Sequence, residues 1–551
     1  MEKIIGKISA TEKNPSTIDE FYFWTNTNVL LSPFDVVKVQ HLNGSTTYGQ
    51  VQEINHVTDS ANHFYSYISS DFGSTKETDL VNGNTDRISF NYVRAQVIGN
   101  NANVYTPVLH GTPVQLCSVE DIKYALGLDR KNVKNPLRCG FLEMYGEKVP
   151  VDMNADFIIG PDGAHLNVSG ISGLACKTSY SMFLLNSLQQ KCMSEENGKT
   201  VAYVFFNVKG QDLLRIDSPV DNMEKDQLDL YKMLEMKAEP FKNVHYYYPY
   251  SSSKEHHNIQ SYGDWNDYVQ FQFSHGLAST YKYPYKQCKN KLEYMFSNEE
   301  DPSGTMASII TYVNNENKPF GGCKTWKQFQ DAIQEVYNDS SSPARKDIVL
   351  SSWKKFSRIL TKVISDNLFN DAMNEDKSEV YLSDEIRNIK PNEVKVIDIA
   401  RLDPSTQAFV FGDIIESIND MMSGKVSDEL PDKVVVFVDE LNKYASKDTP
   451  KDSPILKQLL EITERGRSLG AILFSVEQFR SAIHDRVKGN CSTSAYGRTN
   501  FVEVGKDDYR YLGNTYKNMM TRLSPGEYII SNPALRSLVK IKFPRPTYKQ
   551  D

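Results

Sequence analysis

The chain has 551 residues, 40% of them hydrophobic and 24% charged, a composition that excludes a wholly disordered chain, a collagen-like fibre and a small disulfide scaffold. At about 150 residues per domain, this length predicts roughly three to four domains. With 62 Lys and Arg against 70 Asp and Glu the net charge is −8, so a chain-wide basic footprint for nucleic acid is absent, although basic surfaces can still be local.

The seven cysteines lie at 117, 139, 176, 192, 288, 323 and 491 with no CxxC pair, which points to a reducing compartment and away from a zinc ribbon. The opening MEKIIGKISATEKNP lacks the apolar run of a signal peptide, and no stretch approaches a membrane span. The expectation is a cytoplasmic protein without membrane contact.

The first 120 residues read as β structure. Val36 to Val39, Tyr48 to Ile54 and Tyr92 to Ile98 are short β-branched or aromatic runs, with turn chemistry at Asn43-Gly44 and Gly99-Asn100. They fit a small barrel or sandwich. The polar stretch 56–90 reads as a long loop. Cys117 to Leu128 reads as a short helix with Ser118 as N-cap and Asp121 as its capping-box partner.

From about residue 140 strands and helices alternate. Leu166 to Val168, Val201 to Phe206, Val394 to Ile399, Val434 to Val438 and Ala471 to Val476 are strand-like, most followed by a helical pattern. That alternation predicts an α/β fold with a mostly parallel sheet covered by helices. Phe501-Val502 and Tyr528 to Ile530 are expected as later edge strands, the second antiparallel. The gap before Val394 is too long for one crossover, so 216–390 is expected as a mainly helical insertion, with helices at Trp326 to Tyr337 and Leu350 to Phe369. Tyr246 to Tyr248 with Tyr250 reads as a strand end packed on the core in preference to an aromatic nucleic-acid platform. The expected domains are 1–125 (barrel), 126–215 (first part of an ATPase core), 216–390 (insertion) and 391–551 (second part of the core).

Two segments carry chemistry. Gly170-Ile-Ser-Gly173-Leu-Ala-Cys-Lys177-Thr178 lies between a strand and a helix. A phosphate loop needs inward N–H groups, a Lys for the β/γ-phosphates and a hydroxyl for Mg²⁺. Lys177 and Thr178 fill the last two roles, and Gly170, Ser172, Gly173, Cys176 and Ser179 complete the expected nucleotide contacts. The loop departs from GxxxxGK[ST] in two ways: Cys176 precedes the lysine, and the first glycine lies seven positions before it. A plain Gly-containing strand–helix turn is the competing reading. The second segment, Val434 to Val438 followed by Asp439-Glu440, is an apolar strand ending in two carboxylates. Asp439 suits the Mg²⁺ shell and Glu440 suits orientation of an attacking water. Ala471 to Val476 is followed by Glu477-Gln478; Gln478, neutral and able both to donate and to accept, is the candidate γ-phosphate or water contact, with helix capping as the alternative. Arg498 is a candidate arginine finger; Arg465 and Arg467 are better explained as complementing a helix dipole.

These residues together resemble the HerA branch of the HerA/FtsK ring ATPases over nearly the full length. Phe34 to Ile54 and Val108 to Leu128 resemble its N-terminal barrel, and Gly140 to Gly173 resembles the entry to its nucleotide site. Asp439-Glu440, Gln478 and Arg498 match its Walker B, sensor and arginine-finger places in order. Asn207-Val-Lys209-Gly-Gln211-Asp212 stands where that family carries Asp-x-x-Gly-Glu, with the first acid and the Glu replaced by Asn207 and Gln211. The resemblance implies a RecA-like ATPase core, ATP and Mg²⁺ as cofactors, a homo-hexamer, translocation on double-stranded DNA, and an effector partner. In anti-phage operons that partner is a sirtuin-like NAD-consuming enzyme or a nuclease. Two alternatives stay open: a hexameric scaffold with weak NTPase activity that organises an effector, and a DNA end-resection translocase working with a nuclease.

Overall fold

The structure, a computed structural model, describes residues 3–69, 88–129, 131–173, 176–195, 198–301, 303–374, 378–424 and 429–550. Strands β1 (Ile4–Ile8), β2 (Glu20–Thr25), β3 (Val36–Gln40), β4 (Thr46–Thr58), β5 (Ser89–Asn100) and β6 (Pro113–Leu116) close into a barrel in the order β1-β2-β5-β4-β3-β6. Alternation builds its core. Phe21 and Phe23 of β2 point inward beside Val37, Val39, Val51 and Val93. Gly49 of β4 leaves room for the Phe21 ring, which a Cβ there would meet at 2.5 Å. The helix Val119–Leu126 follows, with the reciprocal Ser118–Asp121 capping box that the sequence predicts. Asp121 also receives Lys38 Nζ from β3 at 2.7 Å, which ties this helix to the barrel wall.

The long loop expected over 56–90 is shorter than that. β4 runs on to Thr58, a helix spans His63–Ser69, and β5 begins at Ser89; residues 70–87 lie outside the described residues.

The second sheet has thirteen strands: β7 (Pro136–Met144), β8 (Glu147–Asn154), β9 (Leu166–Ser169), β10 (Val201–Asn207), β11 (Val244–Pro249), β12 (Ala278–Tyr281), β13 (Glu379–Val380), β14 (Val394–Asp398), β15 (Lys433–Asp439), β16 (Ala471–Glu477), β17 (Thr493–Tyr496), β18 (Glu527–Ser531) and β19 (Val539–Lys542). Their order is β13-β12-β11-β14-β10-β15-β16-β9-β17-β18-β19-β7-β8. Every neighbouring pair from β13 across to β17 is parallel, and the pairs from β17 to β8 are antiparallel. The fold is therefore α/β, a mostly parallel sheet with an N-terminal barrel. β10 is buried along its whole length because helices cover both faces. Its alternate residues divide between two cores. Ala202, Val204 and Phe206 pack with the helix Pro404–Ser423, and Tyr203 and Phe205 pack with the helix Lys177–Ser194.

One expectation is extended and another corrected. Segment 216–390 does hold the helices Trp326–Asn338 and Leu350–Ile364, but it also gives the sheet three parallel strands, β11 to β13. Tyr246, Tyr247 and Tyr248 lie inside β11, fully buried, with hydroxyls bonded to Asp217, Glu385 and Gln272. Phe501–Val504 is a short helix capped by Asn500, because Asn500 Oδ1 accepts the Glu503 N–H at 2.7 Å. Tyr528 to Ile530 does form an antiparallel strand, β18.

Candidate nucleotide-binding site

In a parallel sheet the loops after successive strands open at one edge. β9 leads into the glycine loop and β15 ends at Asp439, with β16 between them. The two motifs are thus about 10 Å apart across the sheet at the usual strand spacing.

The loop is pinned at its start by neighbouring strands. The Gly170 N–H donates to the Glu477 carbonyl at 3.2 Å, and the Ile171 N–H donates to the Arg498 carbonyl at 2.8 Å. Gly173 has φ 79°, a left-handed conformation that suits glycine. Ser172 is exposed at the tip, and Leu174 and Ala175 lie outside the described residues. Cys176 also sits in the left-handed region (φ 49°, ψ 42°), so the residue replacing the usual glycine keeps a glycine-like backbone at the head of the helix Lys177–Ser194. Lys177 is only 6% exposed, and its Nζ turns back to the Gly170 carbonyl at 2.8 Å, closing the loop. Burial lowers its pKa, against the pull of the Asp439 carboxylate.

Thr178 Oγ1 donates to Asp439 Oδ2 at 2.9 Å, so the first turn of the helix and the end of β15 meet directly. Glu440 has φ 56°, which turns the chain sharply after the strand; its N–H bonds Asp439 Oδ1 at 2.9 Å and its carboxylate pairs with Lys443 at 2.9 Å. Thr178 and Asp439 are hard oxygen donors held together, a set that suits Mg²⁺. No cluster of three or more His, Cys, Asp or Glu side chains able to hold a metal occurs among the described residues.

The sequence-predicted residues are not equally placed. Gly170, Lys177, Thr178, Asp439 and Glu440 converge. Arg498 is half-buried beyond β17 and reaches this chain's own loop through its carbonyl. Gln478 is half-buried beyond the end of β16. The residue that enters the sheet edge is its neighbour Glu477, fully buried between β9 and β15. Asn167 of β9 donates to its Oε1 at 2.5 Å, while its Oε2 has no hydrogen-bond partner among the described residues. Burial pushes this carboxyl up to about 8, opposed by Arg480 and by the Asn167 bond. Arg480 in turn donates to Asn167 Oδ1. Sequence reading also missed Lys209, whose Nζ lies 3.4 Å from Asp439 Oδ2. Burial opposes its charge, but Asp439, Asp212 and Glu440 together raise its pKa. Glu477 carries a signal as the last residue of an apolar strand, whereas Lys209, two residues past another strand, has nothing near it in the chain that names its target.

A cleft of about 910 Å³ opens beside the loop, lined among others by Cys176, Ser179, Phe141, Phe543, Tyr548 and Gln550. Its size is that of a small-ligand site. Gln550 donates to Ser179 Oγ at 3.0 Å, so the C-terminal segment borders the same cleft.

No protein-family model matches the chain, and no curated protein does. Among solved structures it is similar to the bacterial conjugative coupling protein TrwBΔN70 in its unbound monoclinic form, at 13% identity over 73% of this chain and 89% of that one, with a TM-score of 0.44. It is also similar to the plasmid coupling protein TrwB in complex with ADP and Mg²⁺ (12% identity, 73% and 88% covered, TM-score 0.42) and to VirB4 of Thermoanaerobacter pseudethanolicus (10% identity, 74% and 96% covered, TM-score 0.40). Likenesses of this size do not bear on activity, and the site is read from its own residues.

Proposed function

We propose that the chain is an ATPase whose site lies at the edge where β9, β15 and β16 end. The observation that carries this reading is the contact of Thr178 with Asp439, which joins a lysine-bearing glycine loop to an acid-tipped strand. The loop N–H groups and the N-terminus of the helix Lys177–Ser194 receive the phosphates. Lys177 exchanges the Gly170 carbonyl for a phosphate oxygen. Thr178 and Asp439 would hold Mg²⁺, which supplies positive charge to the phosphates when bound. Glu440 orients a water whose oxygen attacks the γ-phosphorus; the bond to the β–γ bridging oxygen breaks, ADP and phosphate leave, and the water's proton passes through Glu440 to solvent. The base occupies the cleft beside Ser179 and Gln550.

At the level of the assembly, the chain acts as a hexameric DNA-translocating motor of HerA type, with Arg498 completing a neighbour's site and Gln478 contacting the water. It works with an effector, a sirtuin-like NAD-consuming enzyme or a nuclease, in anti-phage defence. The sequence motifs and the barrel-plus-sheet architecture support the motor reading, and the effector and defence role rest on the resemblance to the HerA branch. The net charge of −8 is compatible with DNA if the few basic loops face a shared lumen. No helix among the described residues is long and apolar enough to cross a membrane. A second reading, a scaffold with slow hydrolysis, is favoured by Lys209 resting on Asp439.

The test is nucleotide binding and phosphate release by the full chain. Lys177→Ala is expected to abolish binding, and Glu440→Gln to retain binding while losing about 10²- to 10⁴-fold in turnover. Parent-like turnover in both variants would place the site elsewhere.

A further inference from the structure

The loop after β10 delivers a cation to the carboxylate that would hold the metal. Asn207, the last residue of β10, is buried and clamps this loop from inside. Its Nδ2 donates to the Gly210 carbonyl at 3.0 Å and to Asp398 Oδ1 at 2.9 Å, and its Oδ1 accepts the Leu213 N–H at 3.4 Å. Gly210 turns within the clamp at φ 51°. The backbone of 208–213 is thereby held, and Lys209 is aimed at the end of β15. Its Nζ approaches Asp439 Oδ2, the same oxygen that accepts Thr178 Oγ1. One carboxylate oxygen thus serves both the hydroxyl and the ammonium.

We infer that Lys209 is a built-in counter-ion of the site, competing with the divalent cation for Asp439 and raising the cation concentration that nucleotide binding requires. The inference rests on the nucleotide reading of the site. The Asp439 side chain is 6% exposed and its charge calls for a positive partner, whereas Lys209 is 42% exposed and so weakly held that a cation on Asp439 can take its place. An exchangeable partner of this kind differs from a fixed structural pair, which would leave the metal no room.

The experiment is a Mg²⁺ titration of fluorescent ATP-analogue binding to the full chain, in the parent and in Lys209→Met, Lys209→Gln and Lys209→Arg. The Mg²⁺ concentration at half-maximal binding is expected to fall about two- to fivefold in the Met and Gln variants, the range of a half-exposed ion pair, and to stay near the parent value in the Arg variant. Mn²⁺ binding to the nucleotide-free chain, read by electron paramagnetic resonance, is expected to strengthen in the same two variants. An unchanged or higher Mg²⁺ midpoint in both folded neutral variants overturns the inference while leaving the nucleotide site intact. A parent protein that binds no nucleotide removes the nucleotide reading, and this inference with it.

Discussion

Two pairs of neighbouring strands end in buried polar side chains at the same edge of the sheet, Asn207 with Asp398 and Asp439 with Glu477, and the pairs are built differently. At β10 and β14, Asp398 is fully enclosed. Oδ1 accepts from Asn207 and from the Ala400 N–H, Oδ2 accepts from Ser261, and Asn207 spends its remaining capacity on its own loop. At β15 and β16, Asp439 holds a hydroxyl and a part-exposed lysine, Glu440 pairs with the half-exposed Lys443, and Glu477 has a buried oxygen without a partner among the described residues. A strand-terminal acid is structural when its bonds are all made inside the fold. It is available for chemistry when some are left over or easily exchanged.

The comparison breaks most visibly at Asp398. Burial pushes its carboxyl up to about 6, against the bonds from Ser261 and Asn207. Asp398→Ala strands those donors and the Ala400 N–H, and is expected to cost about 2–4 kcal/mol of stability in denaturant unfolding. Glu440→Gln, outside any closed network, is expected to stay within about 0.5 kcal/mol of the parent in the same measurement. Equal costs at the two positions would erase the distinction.

Glu477 tests the other side with a smaller effect. Its carboxyl titrates at about 8 in the fold against an ordinary 4.5, so folding favours the protonated form. That contribution is complete below about pH 4.5 and is lost as the pH rises through 8. Glu477→Gln has no proton to lose. Its melting temperature relative to the parent is therefore expected to rise from pH 5 to pH 8.5, equivalent to about 1–3 kcal/mol. A difference independent of pH would mean the carboxyl is solvated.

The same contrast explains what could be read without a structure. Contiguous signals were legible: Ser118 with Asp121, the strand–loop–helix around Lys177, and the apolar run ending at Asp439-Glu440. Each is fixed by neighbours in the chain. Glu477 was passed over for Gln478 because strand periodicity cannot show that β16 inserts between β9 and β15 and buries its last residue against Asn167. Lys209 was invisible for a related reason, since its target lies on the adjacent strand more than 200 residues later. Strands β12 and β13 are hidden by brevity and by the helices between them. The Tyr246 to Tyr248 run, read as a strand end packed on the core, is β11, because β11 and β14 need residues that fill both faces of a covered sheet.

The smallest expected effect lies at Cys176, and it asks whether the site depends on backbone or side chain. Here a Cβ stands where the usual phosphate loop has glycine. The structure answers with a left-handed backbone, which costs a residue with a Cβ about 1–2 kcal/mol relative to glycine. Glycine regains that energy but loses about 0.5–1 kcal/mol to the greater freedom of its unfolded chain. Cys176→Gly is thus expected to change stability by about 0 to 1.5 kcal/mol, in the stabilising direction. Cys176→Ala keeps the Cβ and its strain while removing the thiol. Nucleotide affinity is expected to be equal or tighter in the Gly variant, by up to about fivefold, and unchanged in the Ala variant. If both variants bind alike and both weaken, the thiol itself contributes to the cleft it lines, and the left-handed turn is secondary. If only glycine tightens binding, the loop is held by its backbone, and the Lys177 bond to the Gly170 carbonyl is what keeps a strained turn closed until a phosphate replaces it.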